Sequence, residues 1–209
     1  MNFKKEQLAN SAVTSNLGTN CKSTKNLQVD FSKVCTDTEH QLNFSVSLIA
    51  TLLGDIITIS DRKKLYLLKF ADSCNLEIEI SKLGLNQKIS TKLIDSAPVT
   101  MIRNELNLYF SGKLSKFQTP LHLAGTDFQK KAWNALINVP YGQTKSYLQQ
   151  AKAVGNEKAF RAVANANSMN KFVIVIPCHR IIKNSGDIGG YSGRSERKAW
   201  LINHEKRYV

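Results

Sequence analysis

No apolar run in the 209-residue chain approaches the roughly 18 residues that a membrane-spanning helix needs, so no membrane partner is expected. The opening residues, Met1 to Glu6, carry charges with no apolar core behind them, so a secretory leader is not expected either. Cysteine is scarce. The four present, Cys21, Cys35, Cys74 and Cys178, point to free thiols in a reducing compartment and not to a disulfide framework. A cytoplasmic protein is expected, nucleoid-associated in a bacterium and nuclear in a eukaryote. Acid is scarce as well: 16 acidic against 29 basic residues give a formal charge of +13. The shortage is uneven. Residues 1–125 hold 15 basic and 11 acidic groups, whereas residues 126–209 hold 14 and 5. A polyanion is the natural partner for the second half, and nucleic acid is the commonest one; a merely basic surface gives the same count. The rest of the composition, 42% apolar and 22% charged, belongs to a globular protein with room for one large or two small domains.

Residues 1–42 are rich in Ser, Thr, Asn and Lys without apolar periodicity, and are expected to form a mobile or loosely packed extension. Three short β-rich runs follow, from Phe44 to Ile49, Ile56 to Ser60 and Leu65 to Phe70. Gly54-Asp55 and Asp61 to Lys64 separate them, which predicts an antiparallel meander. Residues 97–111 place Met101, Leu106, Leu108 and Tyr109 near helical spacing before Gly112. From Thr126 the pattern is helical, with Phe128, Ala132, Trp133, Leu136 and Ile137 on one face. Ser146 and Gln149 have capping-box spacing, and Val154-Gly155 makes a turn. A further helix then starts at Asn156 with Phe160, Val163, Ala164 and Asn167 on one face. Two short helices around a glycine turn on the basic half fit a helix-turn-helix, although plain packing units look alike. The fold expected is α+β: a small N-terminal α/β domain with antiparallel strands over residues 43–122, and a helical domain over 123–209.

A buried extended run is expected from Phe172 to Ile176, broken by Pro177 ahead of Cys178, His179 and Arg180. A cysteine beside an imidazole and near Arg180 sits in the kind of electropositive setting that lowers a thiol pKa and makes a nucleophile. A buried inert cysteine is the alternative. The last helix runs from about Ser195 to His204 and ends at Glu205, where an acid opposes the helix dipole; Lys206 and Arg207 could compensate it. Cys178, His179 and Glu205 could form a relay in which the acid orients the imidazole and the imidazole draws off the thiol proton.

The run from Ile176 to Ile182, Ile-Pro-Cys-His-Arg-Ile-Ile, resembles the active-site signature of the O6-alkylguanine-DNA alkyltransferases, also called methylated-DNA–protein-cysteine methyltransferases. Val139 to Gly142, Ser146-Tyr147, Arg161 to Val163, Asn170, Gly190 to Gly193, Lys198 and His204-Glu205 resemble family positions in the same order. The resemblance covers about residues 43–206 and is strongest from Thr126 onward. It implies a ribonuclease H-like N-terminal domain, and a repair protein that flips O6-alkylguanine, with O4-alkylthymine as a further substrate, out of duplex DNA. The alkyl group then passes irreversibly to its own cysteine. By the same resemblance Cys178 is the acceptor, His179 a base acting through water, Glu205 the group that holds His179, and Tyr147 the donor to the leaving guanine. Tyr191 and Ser192 hold the base edge, Gly189 and Gly193 leave room for the alkyl group, and Val173 lines the opposite wall. Arg161 fills the gap left by the flipped nucleotide, Asn156 and Asn184 meet the DNA backbone, and Asn170 is the hinge asparagine. Ala159, Ala162 and Ala166 flank Arg161 as small residues, which suits a helix entering the minor groove.

The chain departs from the family at Lys171, where a proline usually follows the hinge. Asp61 and Tyr66 stand where zinc-bearing members have two ligands, and Cys21, Cys35, His40 and His122 have no zinc spacing, so no metal and no cofactor are expected. A monomer that binds double-stranded DNA is the expected assembly. Three other readings remain: a DNA-damage sensor without alkyl transfer, which would lack the acceptor cysteine; a helix-turn-helix regulator, which would show long polar side chains on its reading face; and a cysteine hydrolase, which would turn over.

Overall fold

The computed structural model describes residues 44–74, 76–83, 89–90 and 96–209; the extension expected over 1–42, with Cys21, Cys35 and His40, lies outside the described residues. The chain opens with β1 (Phe44–Ile49), β2 (Ile56–Ser60) and β3 (Leu65–Phe70), which form the expected antiparallel meander. Short β4 (Ile89–Ser90) joins parallel to β1, giving the order β3-β2-β1-β4. The Asp61 carboxylate closes the second hairpin by accepting from the Lys63 and Lys64 amides, each at 2.6 Å. All five residues of β2 are buried, because apolar clusters lie on both faces of the sheet. One holds Ile56, Leu65, Leu68 and Phe70; the other holds Ile57, Ile59 and Leu67, covered by Leu76 and Ile80 of α1 (Leu76–Ser81).

Ser96 caps α2 (Ala97–Phe110), with Pro98 in its first turn, where a missing N–H costs nothing. Its buried stripe is Val99, Ile102, Leu106 and Tyr109. Met101 and Leu108, expected to share that stripe, are 37% and 43% exposed, since the register starting at Val99 leaves them outside it. Buried Glu105 accepts from the Gln118 amide at 2.7 Å and from the Thr119 hydroxyl at 2.7 Å, tying the following loop to α2.

Thr126 and Gln129 form a capping box at the start of α3 (Asp127–Ile137), and Ser146 and Gln149 form the expected one at α4 (Tyr147–Ala153). Ile137, expected on the packed face of α3, is 44% exposed. Gly155 makes the turn at φ 86°, and Asn156 then caps a 3-10 turn over Glu157–Ala159 before α5 (Phe160–Ser168). That extra turn changes the phase of the helix. Val163, Ala166 and Asn167 pack inward, whereas Phe160, expected beside them, is 44% exposed. Trp133 donates to the Ala166 carbonyl at 2.8 Å, and the Gln150 and Asn167 amides pair at 2.9 and 2.7 Å, locking α3, α4 and α5 together.

The segment expected to run extended from Phe172 to Ile176 is a tight turn instead. Only Phe172 bridges to the sheet, at Leu68. The Val175 amide bonds the Val173 carbonyl at 2.8 Å across Ile174, whose φ of 70° is strained for a β-branched residue. A 3-10 turn over Cys178–Arg180 leads into β6 (Ile181–Ile182), which pairs parallel with β5 (Lys145–Ser146). The last helix, α6 (Ser195–Arg207), runs two residues past the Glu205 end expected. One apolar core runs without a break from Ile56 and Phe70 in the sheet through Trp133 and Phe172 to Leu201 of α6.

Candidate active site

Asn170 organises the turn that presents Cys178. Its side-chain oxygen accepts from the Phe172 amide at 2.9 Å, while its Nδ2 donates to the Ile176 carbonyl at 2.8 Å and to Cys178 Sγ at 3.2 Å. Where proline would stiffen the hinge, Lys171 uses its backbone: its carbonyl accepts from the Leu68 amide at 2.8 Å, and the Val173 amide donates to the Leu68 carbonyl at 2.9 Å. Strand β3 therefore holds the backbone on both sides of Phe172. Cys178 is 7% exposed. Burial pushes its thiol pKa up, and the Asn170 N–H with the charges of Lys69 and Lys198 pulls only part of the way back. The electropositive setting expected to lower it is thus outweighed by burial, and Arg180 pairs with Glu205 instead of the thiol. The resting group is a thiol.

Arg180 and His179 both turn toward Glu205. The Glu205 carboxylate accepts from Arg180 Nε at 2.8 Å and Nη2 at 3.0 Å, from the Tyr109 hydroxyl at 2.8 Å and from the Gly142 amide at 3.1 Å. Burial alone would raise its pKa, but the hydrogen bonds and charges of His179 and Arg180 overcome this and hold it at about 2. The acid that looked misplaced at a helix end is a buried, fully bonded carboxylate. His179 Nε2 lies 2.7 Å from Glu205 Oε1, and a carboxylate ionised at neutral pH, which can only accept, places the ring proton on that nitrogen. Nδ1 is buried and has no hydrogen-bond partner among the described residues. Burial lowers the His179 pKa below its ordinary value, against the pull of Glu205, so the ring is neutral at pH 7.

The β5–β6 pairing brings Ser146 beside Ile182 and so sets Tyr147, the first residue of α4, next to the turn at Cys178. Burial raises the Tyr147 pKa, and a thiolate at Cys178 would raise it further, so its hydroxyl is a neutral donor. The opposite loop carries Gly189 at φ 72°, then Tyr191, Ser192 and Gly193. The Tyr191 and Ser192 hydroxyls are buried without a hydrogen-bond partner among the described residues; the Ile174 backbone is near Tyr191 but outside good geometry. Lys198, fully buried, fastens this loop by donating to the Ile181 carbonyl at 2.5 Å and the Gly190 carbonyl at 3.2 Å, and burial lowers its pKa to about 8. Arg197 ties the same loop to the sheet. It donates to the Leu53 carbonyl at 2.6 Å, to both Asp72 oxygens at 2.6 and 3.0 Å, and to the Gly193 carbonyl at 3.3 Å.

A thiol acceptor, a neutral imidazole with one open nitrogen and a phenol donor around a glycine-lined loop can carry a single group transfer. Residues 127–207 match the family described as 6-O-methylguanine DNA methyltransferase, DNA binding domain. A probable methylated-DNA–protein-cysteine methyltransferase of Acanthamoeba polyphaga mimivirus is 39% identical over 145 residues, which cover 63% of this chain and 97% of that protein. The chain belongs to the methylated-DNA–protein-cysteine methyltransferase family. The Mycobacterium leprae protein of that name is 46% identical over 106 residues, 51% of this chain, and the match spans 64% of its length. The fold also matches the crystal structure of a Mycobacterium tuberculosis methyltransferase in complex with DNA, with a TM-score of 0.67 and 31% identity over 80% of this chain and 94% of that one.

Against the methyltransferase resemblance, the structure gathers Cys178, His179, Glu205, Asn170, Tyr147 and the 189–193 loop into one region. Arg161, Ala162 and Asn184 are exposed, and Asn156 is exposed with its side-chain oxygen capping Lys158 at 3.0 Å. Two placements differ from expectation. Ala159 is 9% exposed and Ala166 3%, so only Ala162 of the three alanines lies on the outer face; the 3-10 turn before α5 sets that phase. Val173 is fully buried in the core and offers no open wall, because its amide is pinned to Leu68. Sequence reasoning missed Tyr109, Lys69 and Asp72, which come from distant segments, and Arg197, which follows the 189–193 loop directly. Asp61 bonds the Tyr66 hydroxyl at 3.0 Å, and among the described residues no three His, Cys, Asp or Glu side chains are grouped to hold a metal.

Proposed function

We propose that this chain repairs DNA by moving the alkyl group of O6-alkylguanine, and of O4-alkylthymine, onto Cys178 Sγ, once per molecule. The observation that carries the reading is the His179 ring: Nε2 is committed to Glu205, and Nδ1 is buried and open. A water between Nδ1 and the thiol relays the proton to the imidazole as Sγ attacks the alkyl carbon. The S–C bond forms as the C–O6 bond breaks, and the electron pair of that bond stays on the guanine. Tyr147 donates a proton to the leaving base and is restored from His179, so the thiol proton ends on guanine. A thioether has no leaving path, so the protein is spent.

The alkyl carbon is out of reach in a stacked duplex, so the nucleotide must flip out. The helix pair α4 and α5 acts as a helix-turn-helix that enters the minor groove, with Arg161 filling the gap, and a monomer suffices. Support comes from the basic second half of the chain and from the DNA-bound relative. Titrating the protein with excess methylated duplex tests the reading. One lesion repaired per molecule is expected, and Cys178→Ser should repair none while still binding the duplex. Sustained turnover would overturn it.

A further inference from the structure

We propose that Phe160 is a second DNA-reading side chain, which stacks on the base next to the flipped nucleotide, and that the cleft between Phe160 and Tyr147 seats that base. The inference rests on the repair reading above and goes beyond it. Phe160 is the first residue of α5 and is 44% exposed; Leu148, facing it from α4, is 36% exposed. With Tyr147, Lys183 and Asn184 they line a cleft of about 310 Å³. Its walls are two aromatic rings and a leucine, closed by the side-chain stems of Lys183 and Asn184, and the Lys183 ammonium lies outside it, 3.9 Å from Asp187. Flat apolar walls of this kind match the face of a nucleobase.

The position of Phe160 narrows the choice. It directly precedes Arg161, and the Arg161 guanidinium carbon sits 5.6 Å from the Phe160 ring centre. The arginine covers the ring in the free protein and must leave it to enter the stack. A helix that carries a phenylalanine on its outer face cannot lie flush in a narrow minor groove. Apolar side chains in that groove insert between base steps and unstack them. Flipping one nucleotide already exposes a face of its neighbour, so Arg161 fills the gap and Phe160 takes that exposed face. Tyr147 bounds the cleft on one side and the acceptor region on the other, which puts the seated base next to the lesion.

Phe160→Ala, Phe160→Leu and Phe160→Trp separate stacking from bulk. The quantity to read is the ratio of the single-turnover rate on methylated duplex to the rate with free O6-benzylguanine, which needs no DNA contact and reports the fold of each variant. Both Phe160→Ala and Phe160→Leu remove the stacking platform, so each should lower the ratio about tenfold, and Phe160→Trp should keep it. A ratio unchanged in Phe160→Ala, or restored by Phe160→Leu, would overturn the proposal while leaving alkyl transfer to Cys178 standing. Failure of the unaltered protein to react with either substrate would instead sink the repair reading itself.

Discussion

Glu205 holds His179 by Nε2 at 2.7 Å across 26 residues of chain, and that one contact decides which imidazole nitrogen can act as a base. The carboxylate stays ionised down to about pH 2, so the ring proton remains on Nε2 and Nδ1 keeps its lone pair. Burial holds the imidazole below its ordinary pKa of 6.5, so it takes up a proton only at lower pH than a free histidine does.

The rate of reaction with free O6-benzylguanine should therefore fall on the acid side with a midpoint below pH 6.5. Glu205→Gln should slow the reaction, because the amide no longer fixes the His179 ring proton on Nε2, by up to the roughly hundredfold that losing the base itself would cost. A rate that falls with a midpoint at or above pH 6.5 would contradict the burial of His179.

Glu205 also predicts acid sensitivity of the fold. Its pKa is lower in the folded chain, about 2 against 4.5, so its contribution is complete above pH 4.5 and is lost as pH falls toward 2. The shift corresponds to about 3 kcal/mol at most. Urea midpoints between pH 7 and pH 3 should fall more steeply for the unaltered protein than for Glu205→Gln.

Gly193 should not tolerate alanine. A Cβ there would lie 2.7 Å from both Phe70 Cδ2 and Tyr191 Cε1, neither of which is the end of a flexible side chain. Overpacking of this kind costs about 1–3 kcal/mol, readable as a lower denaturation midpoint, and should displace Tyr191 enough to slow reaction with O6-benzylguanine. Unchanged stability would mean that the loop is looser than its contacts indicate.

Arg197 and Asp72 should behave as a coupled pair between the sheet and the pocket loop. A double-mutant cycle with Arg197→Ala and Asp72→Ala should give a coupling of roughly 0.5–1 kcal/mol, modest because Asp72 is 41% exposed. Arg197→Lys keeps the charge but not the fork, so it should behave more like alanine than like arginine. Additive effects would remove Arg197 from the positioning of that loop.

Much of this arrangement was legible in the sequence, and the failures have physical causes. The three strands, the Ser146–Gln149 capping box and the Cys178–His179 pair are local signals, and each appears where its residues are. Phe160 and Ala159 were misplaced because a 3-10 turn at Glu157–Ala159 shifts the phase that a continuous helix from Asn156 would have. The run from Phe172 to Ile176 reads as a strand by composition, yet the Asn170 side chain folds it into a turn by bonding three backbone groups, at Phe172 and Ile176. Tyr109 lies 96 residues from Glu205, and Asp72 lies 125 from Arg197; no spacing rule reaches so far.

The central claim is that Cys178 itself receives the alkyl group. Mass analysis of the protein after incubation with O6-methylguanine duplex tests it most directly, with peptide mapping to locate the added group. The expected result is a gain of one methylene mass on the Cys178 peptide, in proportion to lesions repaired, with Cys74 unchanged. Repair of the duplex with Cys178 at its original mass would contradict the account.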